Sequence, residues 1–201
     1  KWKNKIDNSS KWQSWAMPEP RTIYNLQRLS NAKQTSVIVC EGEKTADAYI
    51  NKNLLPVTTW SGGAKAVLKN DWDPLLDFQT IILFPDNDAE GFIAMHKLAK
   101  HLHEDCKVAL ENIRIVLYPD EFPNKWDMAD SIPENTDTDA HRLATGALPY
   151  AEAIDNYAGI WKSLAPQDVA EIDREKSERL LGIAENIFYI SELDEMLDIN
   201  K

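Results

Sequence analysis

Short apolar runs alternating with amphipathic stretches set the rhythm of the chain from residue 36 onward. Val37-Ile38-Val39-Cys40 is an unbroken, β-branched run, the pattern of a strand buried on both faces. Glu43 to Asn51 reads as a helix, with Ala46, Ala48 and Tyr49 available to pack. Val57 to Trp60 is a second short strand ending in Ser61-Gly62-Gly63, and a short helix is expected around Ala64–Lys69. Thr80-Ile81-Ile82-Leu83-Phe84 is the clearest strand, stopped by Pro85. From Glu90 to about Glu104, Phe92, Met95, Leu98, Ala99 and Leu102 recur at helical spacing. Asn112 to Tyr118, through Ile113–Leu117, supplies a fourth strand. Strands alternating with helices predict an α/β fold, a doubly wound (Rossmann-like) parallel sheet of about four strands flanked by helices.

The flanks read differently. Residues 1–35 show no sustained period and carry Trp2, Trp12 and Trp15, with Pro18 and Pro20 close behind. They predict an irregular lead-in that packs through its aromatics. Beyond about Thr136 the pattern is helical and acidic, and Ala165 to Asn200 mixes charged residues with Leu, Ile and Phe, as a helical tail or linker does. The expected organisation is a lead-in over 1–35, one domain over 36–135 and a helical extension over 136–201, without internal repeats.

Composition narrows the function classes. With 201 residues and 43% hydrophobic content, the chain suits one compact domain with an appendage. Its 22 basic and 33 acidic residues give a net charge of -11, against a free-standing, non-specific nucleic-acid binder. The charge is uneven: residues 1–35 hold seven basic and two acidic side chains, net +5, leaving -16 for the rest. Two cysteines, Cys40 and Cys106, make neither a disulfide framework nor a four-ligand zinc site and are expected as free thiols. No apolar stretch approaches the ~20 residues that span a bilayer, and the opening Lys-Trp-Lys-Asn-Lys is no signal peptide. A reducing, cytoplasmic setting is expected. The opening residue is not Met, as expected of a piece of a longer protein.

Three acidic clusters follow strands, where open parallel sheets collect ligands. They are Glu41-Gly42-Glu43, then Asp86-Asn87-Asp88-Ala89-Glu90-Gly91, and Asp127-Met128-Ala129-Asp130. If the first and third strands are neighbours, Glu41, Asp86 and Asp88 converge on one rim. Carboxylates crowded there are driven towards protonation unless a cation balances them, and hard oxygen donors favour Mg²⁺ or Mn²⁺. Such a set suits phosphoryl or nucleotidyl transfer. A single Asp-x-Asp after a strand is more often turn and N-cap chemistry; three clusters at successive strand ends point to a site.

The words Val-Ile-Val-Cys-Glu41-Gly42-Glu43-Lys44 and Leu-Phe-Pro-Asp86-Asn87-Asp88-Ala89-Glu90-Gly91 resemble the Toprim signature. Thr-Trp60-Ser61-Gly62-Gly63-Ala-Lys65 and Trp126-Asp127-Met-Ala129-Asp130 are similar to phage and plasmid primases or primase–helicases. The resemblance covers roughly residues 36–135. It implies a Toprim-like sheet and Mg-dependent synthesis of RNA primers from ribonucleoside triphosphates on a single-stranded DNA template, alongside a helicase domain or subunit. It also implies that Glu41 serves as general acid/base or metal-linked carboxylate, that Asp86 and Asp88 bind metal, and that Asp130 or Asp127 is a third metal-side acid. Many primases carry an Asp four residues after the motif Glu; here that position is Thr45, with Asp47 two further on. A full bacterial primase also has a cysteine-rich zinc module and a basic domain; this sequence has no zinc cysteines, and only residues 1–35 could supply basic surface.

The other candidates each have a plainer reading. Lys65 and Lys69 after the Gly62-Gly63 loop suit a phosphate or a solvated face, and Lys44 suits a nucleotide phosphate or a helix start. Tyr118 and Trp126 suit base stacking or packing. His96, His101 and His103 lack the i, i+4 spacing of a zinc pair and read as packing or surface residues. A Toprim nuclease would use the same acids to cleave phosphodiesters, and a different class is a non-catalytic module that docks to DNA or a replication protein. A topoisomerase needs a DNA-gating domain for which there is no room. A haloacid-dehalogenase-like phosphatase wants its Asp-x-Asp on the first strand, followed by Thr or Val where Glu90 stands.

Overall fold

A computed structural model of the chain describes residues 17–50 and 55–156. The three lead-in tryptophans and the tail expected over 165–200 lie outside the described residues. In chain order the elements are β1 (Arg21–Thr22), α1 (Leu26–Ser30), β2 (Ser36–Cys40), α2 (Glu43–Ile50), β3 (Val57–Thr58), β4 (Asn70–Asp71), β5 (Thr80–Phe84), α3 (Ala89–Glu104), β6 (Ile113–Ile115), α4 (Ala140–Thr145), β7 (Leu148–Pro149) and α5 (Tyr150–Asn156). The main sheet has the order β3-β2-β5-β6-β7. Its first four strands are parallel and β7 runs antiparallel to β6. The protein is therefore α/β, with a mostly parallel five-stranded sheet flanked by helices, compatible with a Rossmann-like arrangement.

Alternation along the two central strands builds two cores. Val37, Val39, Ile81 and Leu83 face one layer with Phe92, Met95, Leu98, Ala99 and Leu102 of α3. Ile38, Cys40, Ile82 and Phe84 face the other, with Ala46 and Tyr49 of α2. Each large apolar side chain fully buried here contributes ~1.5–3 kcal/mol, so the continuous apolar runs of β2 and β5 are what place these strands at the centre.

The core reaches past both boundaries expected at 35 and 135. Upstream, Ile23 and Leu29 are buried, and β1 pairs in parallel with β4, setting Arg21 opposite Asn70. Downstream, β7 covers the edge that β6 would otherwise leave open, and Pro149 is tolerated there because an edge strand need not donate on both sides. Tyr150 and Ala153 continue into the α3-side core. The strand expected over 57–60 ends at Thr58, and the one expected over 112–118 covers Ile113–Ile115. Ala64–Lys69 is a 3₁₀ helix. Among the described residues no helix is long and apolar enough to cross a membrane.

Candidate active site at the carboxyl rim of the sheet

Register creates the site. Cys40 lies opposite Phe84 in the β2–β5 pair, so Glu41 and Pro85-Asp86 leave neighbouring strands side by side, at the ~4.8 Å spacing of a sheet. β3 flanks β2 on its other side while β6 continues beyond β5. The chain order therefore reverses between β2 and β5, where open α/β sheets form their ligand crevice.

Local chemistry brings the carboxylates together. Gly42, at φ 79°, turns the chain from β2 into α2 in a left-handed conformation that side chains resist. Asp88 is the N-cap of α3: its backbone is extended and its Oδ1 accepts from Gly91 N at 2.9 Å. The common N-cap role of such an aspartate is thus realised at Asp88, which keeps its second oxygen for other work. Gly91 lies in the first turn of α3. A Cβ added there would come within 2.6 Å of the Asp86 carbonyl oxygen, 2.9 Å of Asp86 N and 2.9 Å of Glu41 Oε1. Only a residue without a side chain lets the helix, the Asp86 backbone and the Glu41 carboxyl meet this closely.

Asn87, between the two aspartates, ties in the third acidic cluster. Its N–H donates to Trp126 O at 3.0 Å, its carbonyl accepts from Lys125 N at 2.9 Å, and its Nδ2 donates to Phe122 O and Pro123 O. The Tyr118 hydroxyl donates to Pro85 O and its ring packs against Phe84, Phe92, Phe122 and Trp126. Trp126 is buried and donates to Ser131 O. These aromatics hold the loop in place. Sequence reading missed Asn87, whose only signal is an amide in a turn where a third acid would add charge.

The electrostatics follow from the crowding. Glu41 is pushed up to about 8, first by burial and then by the charges of Asp86, Asp88 and Glu90. Asp86 is pushed up to about 7, first by burial and then by Asp127, Asp88 and Asp130. Glu41 Oε1 is buried without a hydrogen-bond partner. Of the two acids in the third cluster, the half-buried Asp127 acts on Asp86 more strongly than the exposed Asp130. Asp130 Oδ2 accepts from Asp127 N at 3.0 Å and Asp127 Oδ1 accepts from Ala129 N, so each of the two acids uses one oxygen to close this turn. Among the described residues no group of three or more His, Cys, Asp or Glu side chains is already arranged to hold a metal ion. The donor chemistry nevertheless fits Mg²⁺ or Mn²⁺: hard oxygens, an orphaned buried carboxylate oxygen, and two carboxyls whose ionisation is opposed by burial and by neighbouring acids. Mg²⁺ usually takes only one or two carboxylates and completes its shell with waters and substrate phosphates.

The remaining candidates divide. Lys44 is exposed in the first turn of α2, and Lys65 is exposed beyond the loop in which Gly62 and Gly63 take φ 103° and 71°. Lys69 pairs with Glu19 at 3.0 Å. Asp47 is exposed and accepts from the Tyr24 hydroxyl at 3.0 Å, and Thr45 is buried. His96 bonds the Tyr150 hydroxyl within the core, His101 pairs with Asp105, and His103 reaches Val108 O. Cys40 and Cys106 are free thiols. Beside Asp130, a cavity of about 200 Å³ is lined by Tyr49, Trp126, Met128 and His141 among others. No protein-family model matches the chain, and no curated protein matches it.

Proposed function

We propose that this chain is the Toprim catalytic domain of a DNA primase or primase–helicase, joining ribonucleotides into primers on a single-stranded DNA template with Mg²⁺ or Mn²⁺. The observation that carries this reading is the placing of Glu41 and Asp86 after paired neighbouring strands at the switch point, both raised well above the usual carboxylate range, first by burial and then by neighbouring carboxylates. Asp86 and the uncapped oxygen of Asp88 would hold the cation, with Asp127 behind Asp86. A divalent ion bound there supplies orientation of the triphosphate and neutralisation of charge on its oxygens. Glu41 carries its proton near neutral pH, which suits general acid/base work at the reacting oxygen. Asn87 and Tyr118 keep the rim rigid, so the carboxyls need not reorganise.

Calorimetry with Mg²⁺ and Mn²⁺, followed by primer synthesis on single-stranded DNA, tests the reading. The expected result is metal binding and extension by the wild type, both lost in Asp86→Ala, Asp88→Ala. Divalent-dependent synthesis unaltered in that double variant overturns it. Cleavage of DNA in place of extension favours the nuclease, and DNA binding without turnover favours the docking module.

A further inference from the structure

We propose that Arg21 is the anchor of a phosphate site, formed with the Ser61-Gly62-Gly63 loop, that receives the polyphosphate of the nucleotide beside the carboxylate rim; this rests on the nucleotidyl-transfer reading and adds a second point of attachment to it. Arg21 sits on β1, held opposite Asn70, and its side chain is 12% exposed. One edge of its guanidinium is used: Nη1 donates to Ser61 O at 3.1 Å. The other edge is not. Nε is buried with no hydrogen-bond partner, and Nη2 faces only Glu19 Oε1 at 3.9 Å, beyond hydrogen-bond reach. The Nε–Nη2 edge is a fork that matches two phosphate oxygens.

The surroundings complete a receptor for an anion. Ser61 Oγ is buried and unpartnered. A Cβ at Gly62 would stand 2.5 Å from Arg21 Nη1, so glycine is what lets the guanidinium lie against the loop. Nothing lies within 4 Å of a Cβ built at Gly63, so the loop opens outward there. The loop is braced from within by Trp60 Nε1 to Gly63 O at 2.8 Å and by Asn70, which donates to Ala66 O and accepts from Ser61 N. Glu19 is half exposed and also holds Lys69; its carboxylate stands where an incoming phosphate takes over. Val39 lies opposite Thr58, so the chain leaves β2 towards Glu41 and β3 towards the Trp60–Gly63 loop at the same end of the sheet. In the order β3-β2-β5, this loop therefore follows the strand next to the one that delivers Glu41, and the next but one to the strand that delivers Asp86. A polyphosphate lying along the rim would have the guanidinium at one end and, at the other, the carboxylates that would hold a divalent cation.

The test is calorimetry of the 201-residue chain with inorganic tripolyphosphate in the presence of EDTA. The expected result is binding by the wild type and by Asp86→Ala, Asp88→Ala, weakened at least tenfold in Arg21→Gln and about threefold in Ser61→Ala. Because Arg21→Gln risks the fold, Glu19→Gln is the companion: it leaves Arg21 packed, removes the competing carboxylate, and is expected to tighten binding about threefold. No binding by the wild type at millimolar tripolyphosphate, or equal affinity in a folded Arg21→Gln, overturns the proposal; so does weaker binding in Glu19→Gln. A single-stranded oligonucleotide that loses affinity in Arg21→Gln while tripolyphosphate does not would move the site to the DNA backbone and overturn the polyphosphate assignment. Failure of the metal reading appears separately, as absent Mg²⁺ binding with the EDTA result intact.

Discussion

Replacing Gly91 by alanine sets helix propensity against close packing, and the two predict opposite signs. Gly91 lies in a 16-residue helix, where Gly→Ala ordinarily stabilises by about 1 kcal/mol. Here the new Cβ would sit 2.6 Å from the Asp86 carbonyl oxygen, 0.8 Å short of the 3.4 Å at which ordinary contact begins. Two of its three close neighbours are Asp86 backbone atoms, which cannot swing aside. Overpacking of this kind costs ~1–3 kcal/mol, and three simultaneous contacts place it near the top of that range. Subtracting the propensity gain leaves a net loss of about 2 kcal/mol, or roughly 4–8 °C in Tm for a chain of this size. Urea denaturation followed by tryptophan fluorescence reads the change, with an unaltered slope showing that the unfolded state is the same. Lys97→Gly, at an exposed position of the same helix, is the control and is expected to lose about 1 kcal/mol. Because the displaced groups include Glu41 Oε1, Mg²⁺ affinity should fall together with stability. A Gly91→Ala variant as stable as the wild type, or more so, would refute the close approach of Glu41, Asp86 and α3.

Stability without metal should fall as pH rises from about 4 through the raised values of Asp86 and Glu41, about 7 and about 8, because the fold favours the protonated forms that the unfolded chain gives up earlier. Both groups keep some water, so the combined loss is on the order of 3 kcal/mol after screening; Glu41→Gln, Asp86→Asn should flatten the slope, and an equal slope in that variant defeats the assignment. If Asp86 ionises to take the metal, Mg²⁺ binding at pH 7 should release about half a proton, and affinity should rise roughly tenfold from pH 6 to 8. Calorimetry in buffers of different ionisation enthalpy measures the proton, and pH-independent binding contradicts the ligand role. Asp88→Asn should keep the helix cap and change stability by less than ~0.5 kcal/mol while lowering metal affinity, whereas Asp88→Ala should also lose about 1 kcal/mol of capping. Asn87→Ala removes two bonds to the Phe122-Pro123 backbone and should cost about 1–2 kcal/mol in thermal denaturation; an unchanged Tm would show that the loop stands without it.

The apolar runs Val37–Cys40 and Thr80–Phe84 by themselves determined two buried central strands, because a segment apolar at every position must be covered on both faces. The spacing of Phe92, Met95, Leu98 and Leu102 likewise determined the long helix, and the acids just after the runs marked the strand ends as the place to look. Sequence could not say which strands are neighbours, since a short apolar strand carries no label for its partner. Only the β2–β5 register, Cys40 opposite Phe84, turned Glu41 and Asp86 from two motifs 45 positions apart into one rim. The weak segments were decided by tertiary structure for a related reason. Arg21–Thr22 and Leu148–Pro149 are two residues each, too short for any periodicity, and exist as strands because Asn70–Asp71 and the open edge of β6 offer them hydrogen bonds. The same holds for the roles inside the rim. Asp88 as cap is local, but Asn87 as tie and Arg21 over the Ser61-Gly62 loop depend on bonds of 3.0–3.1 Å between distant parts of the chain, and Gly91 as the point of close approach depends on where Glu41 comes to lie. Local pattern reports what a residue prefers, and packing alone decides what it meets.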